Sequence, residues 1–124
     1  MLKNSIFIIS VLYTLVLLSL CLMSLNNLPK VTLNHADKIF HLSAYFIFTV
    51  LWSFTFLLKF SFKIKRSILV ATVFAILFGI FIEVLQGTYT SSRSFDYYDV
   101  LANTLGALIA TIVLKIIATK YQKI

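Results

Sequence analysis

The chain has 124 residues, of which 60% are hydrophobic, 15% aromatic and 12% charged. Soluble domains carry roughly a quarter charged residues, and a soluble core of this length cannot hide so much apolar surface; with three glycines, one proline and one cysteine, disorder, collagen and a disulfide scaffold are excluded too. An integral membrane protein is what remains, and its formal net charge of +7 has to be read from where the bases stand.

Four stretches are long and apolar enough to span a bilayer, which takes about 20 residues. The first, 5–25, carries no charge. It is too long for a signal-peptide core of about 7–15 residues, and the bulky Leu20 before Cys21 argues against lipoprotein processing, so it is expected to stay as a spanning helix. The second, 39–58, is rich in Phe and entered through Asp37, Lys38 and His41. The third, 67–87, contains Glu83, and the fourth, 99–118, has Asn103 near its start and Lys115 near its end. The runs are too long for strands and show no period of two, so the expected fold is all-α: an integral membrane bundle of four transmembrane helices. No repeat or linker divides it, and residues 1–124 are expected to form a single domain.

Orientation follows from the bases in the short flanks. One side receives eight, namely Lys3, Lys59, Lys63, Lys65, Arg66, Lys115, Lys120 and Lys123; the other receives Lys30, Lys38 and Arg93. Both termini and the middle loop are therefore expected in the cytoplasm. Topology accounts for the basic surplus, and nucleic acid is not an expected partner. Lys115 reads as a snorkelling anchor, and Tyr89, Tyr97 and Tyr98 as an aromatic belt.

In this orientation all four acidic residues and both histidines fall on the outer side. Asp37, His41 and Tyr45 are four apart and share a helix face. Ala75, Gly79, Glu83 and Gln86 form a stripe on the third helix, and Asp99, Asn103, Gly106 and Ala110 another on the fourth. Small residues allow close helix approach in lipid, so the two stripes are expected to face each other, with Gly79 and Gly106 as packing residues. The expected result is an outward-facing polar pocket of Asp37, Lys38, His41, Tyr45, Glu83, Gln86, Arg93, Asp96, Asp99 and Asn103, roofed by the 88–98 loop.

Plainer roles compete for several of these residues. Asp37, Asp96 and Asp99 suit helix starts, where a carboxylate meets free N–H groups. Asn103 and Gln86 suit interhelical hydrogen bonding. Trp52 suits packing, and His35 a solvated loop. Glu83 resists such a reading: it lies inside the membrane edge near a helix C-terminus, where dipole and desolvation both disfavour an anion. Arg93 is its favoured partner, with His41 and Lys38 as alternatives.

The residues Asp37-Lys38-x-x-His41 with Tyr45, and Glu83-x-x-Gln86 followed by Arg93, Asp96, Asp99, Asn103 and Gly106, resemble the VanZ-like family of bacterial membrane proteins over residues 35–110. Two positions depart from the family pattern: a Pro before the motif arginine is absent from 87–92, and Ala110 stands where a Gly is common. These departures bear on the outer loop's shape and on how closely the fourth helix packs. The resemblance implies a multi-pass protein of the bacterial cell (inner) membrane, linked to the envelope; the founding member is associated with low-level resistance to the glycopeptide teicoplanin.

Three functions compete. A non-catalytic envelope factor would bind a lipid headgroup, a lipid-linked envelope precursor, a glycopeptide or a partner protein through the pocket. An intramembrane acid–base or metal-assisted enzyme would act on a lipid-linked substrate, with Asp37, His41, Glu83 and Asp99 offering oxygen and imidazole donors; with one imidazole at membrane depth, no metal site is assigned and no cofactor is expected. A proton-coupled carrier would use the buried Glu83, though the apolar inner half leaves one chain without a path, so it would need a homo-oligomer. The lipid bilayer is a partner in every case.

Overall fold

The computed structural model describes residues 1–22, 34–89 and 97–122, with the side chains of 34–37, 89 and 122 left aside. Among the described residues there are four helices and no strand: α1 (Leu2–Leu22), α2 (Asn34–Leu58), α3 (Ile64–Tyr89) and α4 (Tyr97–Gln122). All four are long and apolar enough to cross a membrane. Each begins two to five residues before the apolar run that announces it, because a helix continues through polar flanks as long as its backbone bonds are made. Residues 23–25, expected to end the first span, lie outside the described residues.

The bundle is built on α2, α3 and α4, which all touch one another, while α1 packs on α2 and α3 and does not reach α4. Only 17% of α1's span is buried, against 44% for α2, so α1 is the peripheral helix. Lipid-facing residues recur at helical spacing on the outer surfaces: Leu69, Val73, Leu77, Phe81 and Val84 on α3, and Leu101, Leu105, Leu108, Ile112 and Ile116 on α4. Stripes of this kind are at rest against acyl chains and would aggregate in water.

The core is aromatic. Tyr45, Phe48, Trp52 and Phe56 climb one face of α2 at steps of three and four and meet Phe74 and Phe78 of α3. Phe48 stacks on Phe78 with centroids 5.1 Å apart and planes at 7°, and Trp52 meets Phe74 edge-on at 5.1 Å. Such pairs contribute roughly 0.5–1.5 kcal/mol each beyond their area.

The turn between α2 and α3 closes with Ser61 at φ 59°. The Phe62 amide donates to the Phe56 carbonyl at 3.0 Å and the Lys59 amide to that of Thr55 at 2.8 Å. The first of these reaches one residue further back than the six-to-one bond of a Schellman stop, and Ser61 takes the left-handed conformation that usually goes to glycine. A reversal this short makes α2 and α3 antiparallel neighbours.

Side-chain hydrogen bonds hold α1 to α2. Ser10 pairs with the Thr55 hydroxyl at 2.7 Å and donates to the Leu51 carbonyl at 3.2 Å, the Tyr13 hydroxyl donates to the Ala44 carbonyl at 2.6 Å, and the Trp52 indole donates to Thr14 at 2.9 Å. Between membrane helices, where burial in lipid gives little drive, bonds like these contribute about 0.6 kcal/mol each. On the far side of the core, Thr72 of α3 pairs with Thr111 of α4.

Candidate functional site

Where α2 and α4 begin and α3 ends, polar side chains converge. Helix α2 brings Lys38, His41 and Tyr45; α3 brings Glu83 and Gln86; α4 brings Asp99 and Asn103. His41, Tyr45, Glu83, Gln86, Asp99 and Asn103 are all buried, none more than 2% exposed.

The α2–α4 seam carries most of the polar geometry. The Lys38 ammonium pairs with Oδ1 of Asp99. His41 Nδ1 lies 2.9 Å from the Asn103 side-chain oxygen, and His41 Nε2 lies 3.6 Å from the second Asp99 oxygen, Oδ2. Lys38 and His41 are three apart on α2, and Asp99 and Asn103 are four apart on α4, so two adjacent turns of one helix read two adjacent turns of the other. Asp99 stands in the first turn of α4, a position favoured by the helix dipole, and its side chain is turned across the seam.

Gly106 makes that seam close. A Cβ there would overlap the Leu42 carbonyl oxygen, with the Leu42 carbonyl carbon at 3.0 Å and the Phe46 amide nitrogen at 3.1 Å. The stripe on α4 therefore presses on α2 with Gly106 and reaches α3 through Asn103, where the sequence suggests a stripe facing α3 alone. Gly79 of α3 receives that second contact: a Cβ there would sit 3.0 Å from the Asn103 amide nitrogen and 3.3 Å from the Tyr45 ring. One glycine admits a backbone and the other admits two side chains.

On α3, Glu83 is fully buried, and one of its oxygens lies with a His41 nitrogen and an Asp99 oxygen in a group whose members are all within 4.8 Å of one another. Gln86 donates from Nε2 to the Cys21 carbonyl at 2.6 Å, which fastens the end of α3 to the end of α1. Lys38, an alternative partner for Glu83 by sequence, is engaged with Asp99. The Asp37 side chain, Arg93 and Asp96, and with Arg93 the favoured partner of Glu83, lie outside the described residues, as does most of the 88–98 loop. Tyr97 and Tyr98 are exposed, as an aromatic belt requires.

Beside the cluster, Lys38, Leu42, Tyr98 and Ala102 border a groove between α2 and α4. Sequence reasoning missed the contribution of α1: the Cys21 carbonyl that receives Gln86, and the Ser10, Tyr13 and Thr14 side chains bound to α2. The available signal was the stripe Ser10, Thr14, Leu17, Cys21 at steps of four, three and four, which carries the three residues that α1 buries.

The family model described as VanZ/LLP1 matches residues 5–118, nearly the whole chain. The chain belongs to the VanZ-like family. The match takes in α1, which the motif residues do not cover, and the three helices that build the polar cluster. No curated protein and no solved structure matches the chain. This VanZ-like protein is thus a membrane protein with four apolar helices, whose polar side chains gather where α2, α3 and α4 meet at one end.

Proposed function

We propose that this VanZ-like protein is an envelope factor of the bacterial inner membrane, with both termini in the cytoplasm and the Lys38–Asp99 end turned outward. There it binds an anionic envelope ligand, such as the headgroup of a lipid-linked cell-wall precursor, and through that ligand contributes to tolerance of teicoplanin-type glycopeptides. The observation that carries the reading is the burial of His41, Glu83, Asp99 and Asn103 on three helices at one end of the bundle, beside a Lys38 whose side chain is still 30% exposed. Burying ionisable groups in a membrane is costly and marks function by default, and a partly exposed ammonium at that rim is the natural contact for a phosphate or carboxylate.

Growth of deletion and Glu83→Gln strains across glycopeptides and other envelope stresses tests this. Both strains are expected to lose tolerance to teicoplanin-type drugs, while Asp37→Asn retains it. Equal tolerance of Glu83→Gln and Asp37→Asn would remove the case for a site centred on Glu83.

A second reading, an intramembrane acid–base or metal-assisted enzyme acting on a lipid-linked envelope substrate, is favoured by one feature: an imidazole grouped with two buried carboxylates. Turnover of a lipid-linked pyrophosphate by the purified protein, abolished by His41→Ala, would decide for it.

A further inference from the structure

We infer that His41, Glu83 and Asp99 form a three-ligand site for a divalent first-row transition metal ion, of which Zn2+ is the natural probe. The inference goes beyond the envelope-ligand reading and does not need it.

The three residues come from α2, α3 and α4, so only the assembled bundle creates the site. Their donor atoms lie within 4.8 Å of one another, and the His41 Nε2 to Asp99 Oδ2 distance is 3.6 Å. Two ligands on a tetrahedral Zn2+, each bonded at about 2.0–2.2 Å, stand about 3.4 Å apart. The imidazole–carboxylate edge is therefore close to the right length, and the widest edge, at most 4.8 Å, closes with a side-chain adjustment of about 1.4 Å or less.

The Asn103 oxygen, 2.9 Å from His41 Nδ1, can only accept, so Nδ1 carries a hydrogen; in the neutral imidazole the metal-binding lone pair then sits on Nε2, the nitrogen facing Asp99. A ligating histidine is oriented in this way by a hydrogen bond from its other nitrogen. At 3.6 Å, Nε2 and the carboxylate oxygen are too far apart to share a proton in a good hydrogen bond, yet they are well spaced for an ion between them. Lys38 engages the other oxygen, Oδ1, as an outer partner that holds a ligating carboxylate does.

A second observation points to the same place. The Tyr45 hydroxyl and the Asn103 amide nitrogen are buried with no hydrogen-bond partner among the described residues, and both residues are at most 1% exposed. Tyr45 stands one turn from His41 on α2, and the Asn103 amide nitrogen belongs to the side chain whose oxygen meets His41 Nδ1. Two unused donors beside two carboxylates and an imidazole are what a metal-bound water, or the outer oxygens of ligating carboxylates, would take up. One nitrogen with two carboxylates suits Zn2+ or Mn2+ and disfavours Ca2+ and Mg2+, which select all-oxygen sets.

The test uses the full-length protein purified in detergent, stripped with chelator, reloaded with Zn2+ alone and freed of excess metal. We expect about one Zn2+ per chain by elemental analysis, as a single three-ligand site requires, with a rise of several degrees in Tm on loading. His41→Ala and Glu83→Gln should each lower affinity by at least about 100-fold, while Lys38→Gln keeps the stoichiometry. Because a ligand variant can fail to fold, wild-type protein loaded with Co2+ supplies an independent reading: a four-coordinate visible spectrum, bleached by Zn2+, is expected. Metal below about a tenth of an equivalent, or a full equivalent that His41→Ala leaves in place, overturns the inference, as does six-coordinate Co2+. Anionic-lipid binding by the chelator-stripped protein separates this outcome from failure of the envelope-ligand reading, since that binding uses Lys38 and no metal.

Discussion

The two ends of the bundle are assembled on opposite principles. At the end where α2 and α4 begin, the interior holds an imidazole, two carboxylates and two amides, groups that make a membrane protein harder to fold unless each is met by a partner. At the end with the α2–α3 turn, tilted aromatic rings follow one another from Phe48 through Trp52 to Phe56. There a cavity of about 270 Å3 opens among apolar side chains such as Leu57, Ile68 and Leu114. The bases at that end stay on the surface: Arg66 lies over the Phe62 ring at 4.6 Å and Lys59 reaches Asn4. The contrast teaches that stability and polarity are separated along the helix axes. The aromatic end contributes packing, and the polar end is held in register by the α2–α4 seam.

Substitutions along the seam should sharpen that contrast most. Gly106→Ala places a Cβ on the Leu42 carbonyl and is expected to cost about 3 kcal/mol, the upper part of the overpacking range, despite a gain of about 1 kcal/mol in helix propensity. Thermal unfolding in detergent reads this, and a drop no larger than that of an exposed Gly→Ala change would break the account of the seam. Asp99→Asn removes the carboxylate charge with which the Lys38 ammonium pairs. The expected loss is about 2 kcal/mol, below the roughly 3–5 kcal/mol of a fully buried pair, because water still reaches Lys38.

At the periphery the effects should shrink. Ser10→Ala removes two bonds between α1 and α2 and Tyr13→Phe removes one, and each should cost about 0.6 kcal/mol per bond. Their mark is faster hydrogen exchange confined to α1 while the other helices keep their protection; a global change would contradict the peripheral place of α1. Smallest and opposite in sign, Ser61→Gly relieves a left-handed serine and should stabilise the α2–α3 turn by about 0.5–1 kcal/mol.

Much of this architecture is legible in the residues themselves, because a spanning helix must be apolar for some twenty positions and almost nothing else is. Glu83 stands out for the same reason: an acid inside such a run needs a cause. The partners are a different matter. That Lys38 meets Asp99, and that Gly106 meets α2 as well as the polar stripe meeting α3, depends on helix rotation, which hydropathy leaves open. The bonds from Tyr13 to Ala44 and from Trp52 to Thr14 were hidden too, since an aromatic side chain within an apolar run reads as packing until its polar atom is seen to have a target. The Gln86 bond is hidden for another reason: its acceptor is a backbone carbonyl at the end of a helix sixty-five residues away, and no side-chain pattern announces it.

The central claim is that α2 and α4 bring Lys38 and Asp99 together as one energetic unit. A double-mutant cycle of Lys38→Ala and Asp99→Ala, read by unfolding of the protein in detergent, tests it most directly. The account predicts a coupling of about 1 kcal/mol or more, whereas effects that add to within about 0.3 kcal/mol would contradict it.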